Sequence, residues 1–379
     1  MLKQIAAAIG QEDYKTAAKL LKPLLKTEKN NPWVQFYVGR VQEGMGKRAE
    51  AERLYLKLLP QITNPKLMAQ IRQGIRRIEQ HHTNQQQDAI AQAVETPGGE
   101  EQGVLILEPI ITYSAPRLDK INPKQAAAQA FAKVFKIDAY TARLQLPSRG
   151  WRLYRTGKIG ELHYYVQALQ SVNIPCFAVP IAQVPQLQIF TVHYFNALSP
   201  RPKVRCMNAE GKAGEMTFAW SEVQGRVLGR IPFFESVVTV DAKHRLTRKT
   251  QKQDHIAVCD LHLPSKGYIL RLCERSYAFN RGIRLASEER SPIERDTVSQ
   301  SWQYLMEQLT QRLKDIPTFA EFDTFASSAL DCRELLGSLE PHLDLERREP
   351  SLWDGAFHLY SGLAYWRSRS VENHAESLH

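Results

Sequence analysis

Long apolar runs are absent from the 379-residue chain. No window approaches the roughly 18 uninterrupted apolar residues of a membrane span. The opening MLKQIAAAIGQEDYK has too short an apolar run for a secretory signal and no small-residue cleavage site, so a cytoplasmic protein is expected. Cysteine is scarce. Cys176, Cys206, Cys259, Cys273 and Cys332 are odd in number and never spaced CxxC, which supports neither a disulfide framework nor a zinc knuckle; buried free thiols are expected. A phosphate-cradling loop is missing too. RTGKIGEL has Gly157, Lys158 and Gly160 but lacks both the spacing and the hydroxyl after lysine that such a loop needs. YSGLAYW has one glycine where two would flank the serine of a nucleophile elbow. These absences leave no constellation for hydrolase chemistry and no cofactor motif, and a non-enzymatic protein is expected.

The metal-ligating residue types come closest together in DHIAVCDLHL. There Asp260 and His262 share one face of a strand, with Asp254 and His255 just upstream. Two adjacent ligands do not complete a site, so no metal is expected, and a polar sheet edge or a hydrogen-bonded histidine is the reading.

Hydrophobic residues make up 43% and charged residues 24%, the balance of a folded globular chain, and the length calls for about two to four domains. The net charge of +10 is unevenly spread. Residues 1–80 carry 15 Lys/Arg against 7 Asp/Glu, residues 81–103 carry 0 against 4, residues 104–290 carry 27 against 14, and residues 291–379 carry 8 against 15. The successive balances are therefore +8, −4, +13 and −7, a pattern that speaks about partners and contacts within the chain.

At the N-terminus, DYKTAAKLLKPLLKTEKNNP and KRAEAERLYLKLLPQITNP carry the same pattern one period apart. Ala17 and Ala51, Leu21 and Tyr55, Leu24 and Leu58, and Leu25 and Leu59 are each 34 residues apart, and Asn31-Pro32 and Asn64-Pro65 close the two units. Thirty-four residues is the period of a helix-turn-helix repeat. With Gly39, Gly46, Ala51 and Tyr55 in the second unit, residues 1–80 resemble two tetratricopeptide repeats. The chain has Gln35 and Gln42 where the family has aromatics, and the first unit lacks the glycine pair. A third helix, PKLMAQIRQGIRRIEQ, is expected to cap the array by burying Leu67, Ile71, Ile75 and Ile78. The resemblance implies a groove on the first helix of the second unit, with Trp33, Phe36, Tyr37, Arg40 and Glu43 facing a peptide or helix of a protein partner. It does not supply the Lys and Asn of the carboxylate clamp that holds chaperone tails.

Residues 81–103, rich in Gln, Thr and Gly, read as a disordered linker. A small α/β domain follows over 104–189, with helices on one face of the sheet. Its pieces IDAYTARLQLPS, WRLYRTGKIG and YVQALQSVNIPCFAV resemble in order the C-terminal domain of the ribosomal stalk protein and the ClpS protease adaptor, both protein-binding families. Residues 190–290 alternate short β-branched and aromatic runs with turns about every 8–12 residues, the pattern of an antiparallel β domain. Residues 291–366 read as helices, with Trp302, Leu305, Leu309 and Leu313 and then Phe322, Phe325, Leu330, Leu335 and Leu336 inward, and 367–379 as a disordered tail. The fold class is thus multidomain α+β.

The β region carries the remaining candidate interface. PRPKVR holds Arg201, Lys203 and Arg205, and KHRLTRKTQK holds Lys243, Arg245, Arg248, Lys249 and Lys252; Arg271, Arg275, Arg281 and Arg284 lie further on. Gathered on one surface they would attract phosphate, so a nucleic-acid- or nucleotide-binding regulator stands as the alternative to a protein-binding adaptor. Aromatic residues there fall in core positions of strands, unlike the interleaved stacking residues of single-strand binders.

Overall fold

The computed structural model describes residues 1–110, 123–240, 246–283, 297–343, 345 and 351–376, with side chains for all of these except 234–240, 246–253 and 370–376. The chain forms two compact units, Met1–Gln92 and Ala93–His379.

The first unit is built from α1 (Leu2–Gly10), α2 (Tyr14–Thr27), α3 (Pro32–Gly44), α4 (Arg48–Leu58) and most of α5 (Pro65–Glu95). The two Asn-Pro pairs set helix starts. Asn31 Oδ1 accepts from the Trp33 amide and Asn64 Oδ1 from the Leu67 amide, while each proline occupies the first helical position, where its missing N–H costs nothing. Asp13 caps α2 through the Thr16 amide. Small residues at the crossings let the helices approach. The Tyr55 ring of α4 is wedged between Gly39 of α3 and Gly74 of α5; a Cβ at Gly39 would lie 2.4 Å from Tyr55 Cε1, and one at Gly74 would lie 2.7 Å from Cε2. Ala51 and Tyr55 are fully buried, as are Leu67, Ile71 and Ile78 of the third repeat-length helix, with Ile75 packed partly against them.

The linker expectation for 81–103 is overturned over most of its length: α5 continues to Glu95, and β1 begins at Gln102. Low hydrophobicity forbids a core, but it does not forbid a helix. Gln, Ala and His carry no strong helix penalty, and the first breakers are Pro97, Gly98 and Gly99.

In the second unit β1 (Gln102–Leu107), β2 (Arg152–Lys158) and β3 (Cys176–Pro180) form an antiparallel sheet in the order β2-β1-β3. The intervening helices are α6 (Pro123–Phe135), α7 (Ala139–Gln145) and α8 (Ile159–Gln170). The expected helices on one face are only half of the arrangement, since β1 is buried on both sides. Val104 and Ile106 join a core shared with the larger sheet and the C-terminal helices. There Trp151 meets Tyr360 edge-on at 5.5 Å, and the Leu153 amide donates to Ser328 Oγ at 3.0 Å.

The larger sheet contains β4 (Gln188–Ala197), β5 (Lys203–Met207), β6 (Ala213–Thr217), β7 (Gly225–Val240), β8 (Leu246–Leu263), β9 (Tyr268–Cys273) and β10 (Thr318–Phe319), ordered β10-β7-β8-β9-β4-β5-β6. It is mixed where an antiparallel sheet was expected, because β9 returns beside β4 in the same direction and β10 runs parallel to β7. One face is covered by α9 (Val298–Arg312), whose Trp302, Leu305 and Leu309 pack with Leu261, Leu263 and Leu270. The other carries α10 (Phe322–Ala329), α11 (Arg333–Gly337) and α12 (Leu352–Glu376). Helix α12 is buried all round from Gly355 to Tyr365 and continues to Glu376, through residues expected to be a disordered tail. The separate domains expected at 104–189, 190–290 and 291–366 share one core, because β1, β7, β8 and α12 supply the same apolar cluster.

Candidate functional site

Two side-chain clusters stand out, one in each unit. In the first unit a cleft of about 240 Å³ opens along the first helices of the successive pairs. Ala6, Ile9 and Gly10 of α1 form one wall, and Gln70, Gln73 and Arg77 of α5 the other, with Phe36, Tyr37 and Arg40 of α3 between them.

The structure divides the five residues expected there. Tyr37 and Arg40 are half-buried and line the cleft, and burial pushes the Tyr37 phenol above its ordinary range. Phe36 lines it but is 5% exposed, so it is a core residue more than an anchor. Trp33 packs edge-on against Phe36 at 6.2 Å. Glu43 is committed internally: Arg77 donates to its two oxygens from Nε at 2.7 Å and Nη2 at 2.9 Å, and Tyr55 Oη donates at 3.0 Å. Burial pushes the Glu43 carboxyl up, but the hydrogen bond and charge of Arg77 outweigh it and hold the group below its ordinary value. Gln70, Gln73 and Arg77 had no place in the sequence reading. The 34-residue step from Glu43 to Arg77 is the one signal that pointed to the pair.

The second cluster lies between the large sheet and α12, and it corrects one assignment outright. Arg271, grouped with the exposed basic residues, is fully buried. It stands directly across from Asp260 in the β8–β9 ladder and donates from Nε to Oδ1 at 2.9 Å and from Nη2 to Oδ2 at 2.6 Å. Its Nη1 donates to the Pro341 carbonyl, and the guanidinium lies 5.2 Å from the Phe357 ring centroid. Alternation puts Asp260 and His262 on the same face of β8, and both meet Ser361 of α12. The lone arginine within the otherwise apolar YILRLC, a strand buried at every residue, was the legible signal of a buried pair.

Serine, histidine and aspartate therefore converge, but their proton order opposes nucleophilic catalysis. Ser361 Oγ has one proton, and Asp260 Oδ2 at 2.5 Å takes it. His262 Nε2, 3.0 Å from Ser361 Oγ, must then be the donor to that hydroxyl, which leaves Nδ1 bare; among the described residues that atom is buried without a partner. An activated serine needs the histidine as acceptor. Burial pushes His262 down to about 4, with the Asp260 charge opposing and the Arg271 charge reinforcing the shift, so the ring is neutral at pH 7. No group of three or more His, Cys, Asp or Glu suited to a metal occurs among the described residues.

The basic residues of the β region separate. Lys203 pairs with Glu215 at 2.6 Å, Arg205 stands opposite Glu215 in the β5–β6 ladder, and Arg201 is exposed. Arg275 lies over the Phe233 ring at 4.2 Å, and Arg281 is exposed. Lys243, Arg245 and Arg284 lie outside the described residues, whereas Arg248, Lys249 and Lys252 fall on β8. From Phe234↔Lys252 to Val240↔Leu246, β7 and β8 pair only with each other among the described residues, forming a two-stranded ribbon beyond the sheet.

Among the described residues, no helix is long and apolar enough to cross a membrane. No protein-family model matches the chain, no curated protein matches its sequence, and no solved structure matches its fold.

Proposed function

We propose that the chain is a cytoplasmic, non-enzymatic adaptor that holds a segment of a protein partner in the cleft of its first unit, as a tetratricopeptide-like array would. The observation that carries this reading is the cleft on α1, α3 and α5, where the side chains of Tyr37 and Arg40 are partly open and make no hydrogen bond or ion pair among the described residues. Binding would come from surface complementarity, with Tyr37 as aromatic contact and the polar wall of Gln70, Gln73 and Arg77 fixing register. The test is an array of decamer peptides spanning residue compositions, probed with the full chain and with a Tyr37→Ala/Arg40→Gln variant. Peptides retained by the native chain and released by the variant, with the variant's first unit still helical by circular dichroism, support the reading. An array that retains nothing refutes it.

A second reading rests on the β7–β8 ribbon, whose β8 strand carries Arg248, Lys249 and Lys252. A two-stranded ribbon fits the major groove of a duplex, and basic residues along it would bind phosphates. Changing Arg245, Arg248 and Lys249 to Glu should abolish salt-dependent binding to duplex DNA, while the Tyr37→Ala/Arg40→Gln variant keeps it.

A further inference from the structure

The cleft's charge is set by which of its ionic groups is already satisfied. Arg77 is neutralised by Glu43, whose side chain is only 15% exposed and whose two carboxylate oxygens are both engaged. Arg40 faces the same cleft with no hydrogen bond or ion pair of its own, and no acidic side chain lines the cavity among the described residues. Counting Arg40, Arg77 and Glu43, the site keeps one uncompensated positive charge, within an N-terminal stretch (residues 1–80) whose balance is +8.

We infer that the occupant of this cleft is an acidic, extended segment of another protein, with an Asp or Glu carboxylate on the Arg40 guanidinium; the inference rests on the peptide-binding reading above and narrows its ligand. Arg40 is suited to this because its planar fork can grip both carboxylate oxygens. The Glu43–Arg77–Tyr55 network leaves Arg40 as the group that responds to the ligand's charge, and the 240 Å³ cleft admits a few side chains of an extended strand.

The experiment measures fluorescence anisotropy of three labelled decamers against the full chain: one alternating Glu and Ala, one alternating Lys and Ala, and one of Gly and Ser. The Glu decamer should bind, and the other two should not. Arg40→Gln should weaken the Glu decamer by about tenfold or more, the range expected for one charge-assisted bond, while the equally charge-reducing Lys22→Gln on the exposed surface of α2 leaves it unchanged. Binding of the Lys or Gly-Ser decamer as tight as that of the Glu decamer, or an Arg40→Gln variant that binds the Glu decamer undiminished, overturns the acidic ligand and leaves peptide binding standing. If neither these decamers nor the composition array bind, the parent reading falls.

Discussion

Substituting Arg271 by methionine should unfold the second unit far more readily than any exposed change. Asp260 and Arg271 are both fully buried and share two charge-assisted hydrogen bonds at 2.9 and 2.6 Å. Methionine keeps much of the stem's packing beside Phe357 but leaves the Asp260 carboxylate with Ser361 as its remaining hydrogen-bond partner and no countercharge. Removing one partner of a buried pair costs about 3–5 kcal/mol, against a total stability of about 5–15 kcal/mol for an ordinary domain. Replacing both, Asp260→Leu with Arg271→Met, should cost no more than about 1 kcal/mol, because no orphaned charge remains. The coupling between the two sites should then be at least about 2 kcal/mol. Urea unfolding followed by tryptophan fluorescence reads this unit: Trp151, Trp220, Trp302, Trp353 and Trp366 belong to it, and only Trp33 to the first. A single variant costing under about 1 kcal/mol, or a double variant costing the sum of the singles, would refute the claim that this pair is a desolvated, mutually dependent unit.

Acidification should destabilise the same region. The unfolded chain holds His262 near its ordinary value of 6.5, whereas burial lowers it to about 4 in the fold, and His358 is also held well below its ordinary value by burial and then by the Arg271 and His342 charges. The unfolded state therefore binds protons first as pH falls, so the stability from neutral His262, about 3 kcal/mol, is complete above about pH 6.5 and gone near pH 4. A urea midpoint measured across that window should fall, and a His262→Gln variant should flatten the curve. Gly74→Ala should cost about 1–3 kcal/mol, since its Cβ would meet the Tyr55 ring at 2.7 Å while Gly39 blocks retreat; circular dichroism melting of the variant checks it. Phe36→Ala should lose about 3–5 kcal/mol because the side chain belongs to the core, whereas Tyr37→Ala should alter peptide retention with a smaller change in melting temperature.

Local chemistry carried much of the architecture into the sequence. The 34-residue period marked the crossing residues Gly39, Ala51 and Tyr55, the Asn-Pro pairs marked the ends of the two units, where α3 and α5 prove to begin, and the 3.6-residue spacing of Trp302, Leu305 and Leu309 gave the buried face of α9. Alternation along β8 put Asp260 and His262 on a common face. Such signals are legible because each depends on residues a few positions apart and on a fixed backbone geometry. The helix through residues 81–95 was misread for the same reason in reverse, since composition predicts burial better than backbone conformation.

What the sequence by itself determined is the set of elements and the faces they bury. Which charges remain free was decided only by tertiary structure. Arg271 and Arg40 are both arginines amid apolar neighbours, yet one is sealed against Asp260 from the adjoining strand and Ser361 of α12, while the other faces an open cleft because Glu43 is taken by Arg77, 34 residues on. The parallel return of β9 beside β4 and the insertion of α12 between the sheets likewise rest on contacts far apart in the chain. An ionic group's role is fixed by the partner that reaches it first and by the water excluded when it does, and neither is encoded in its immediate neighbours.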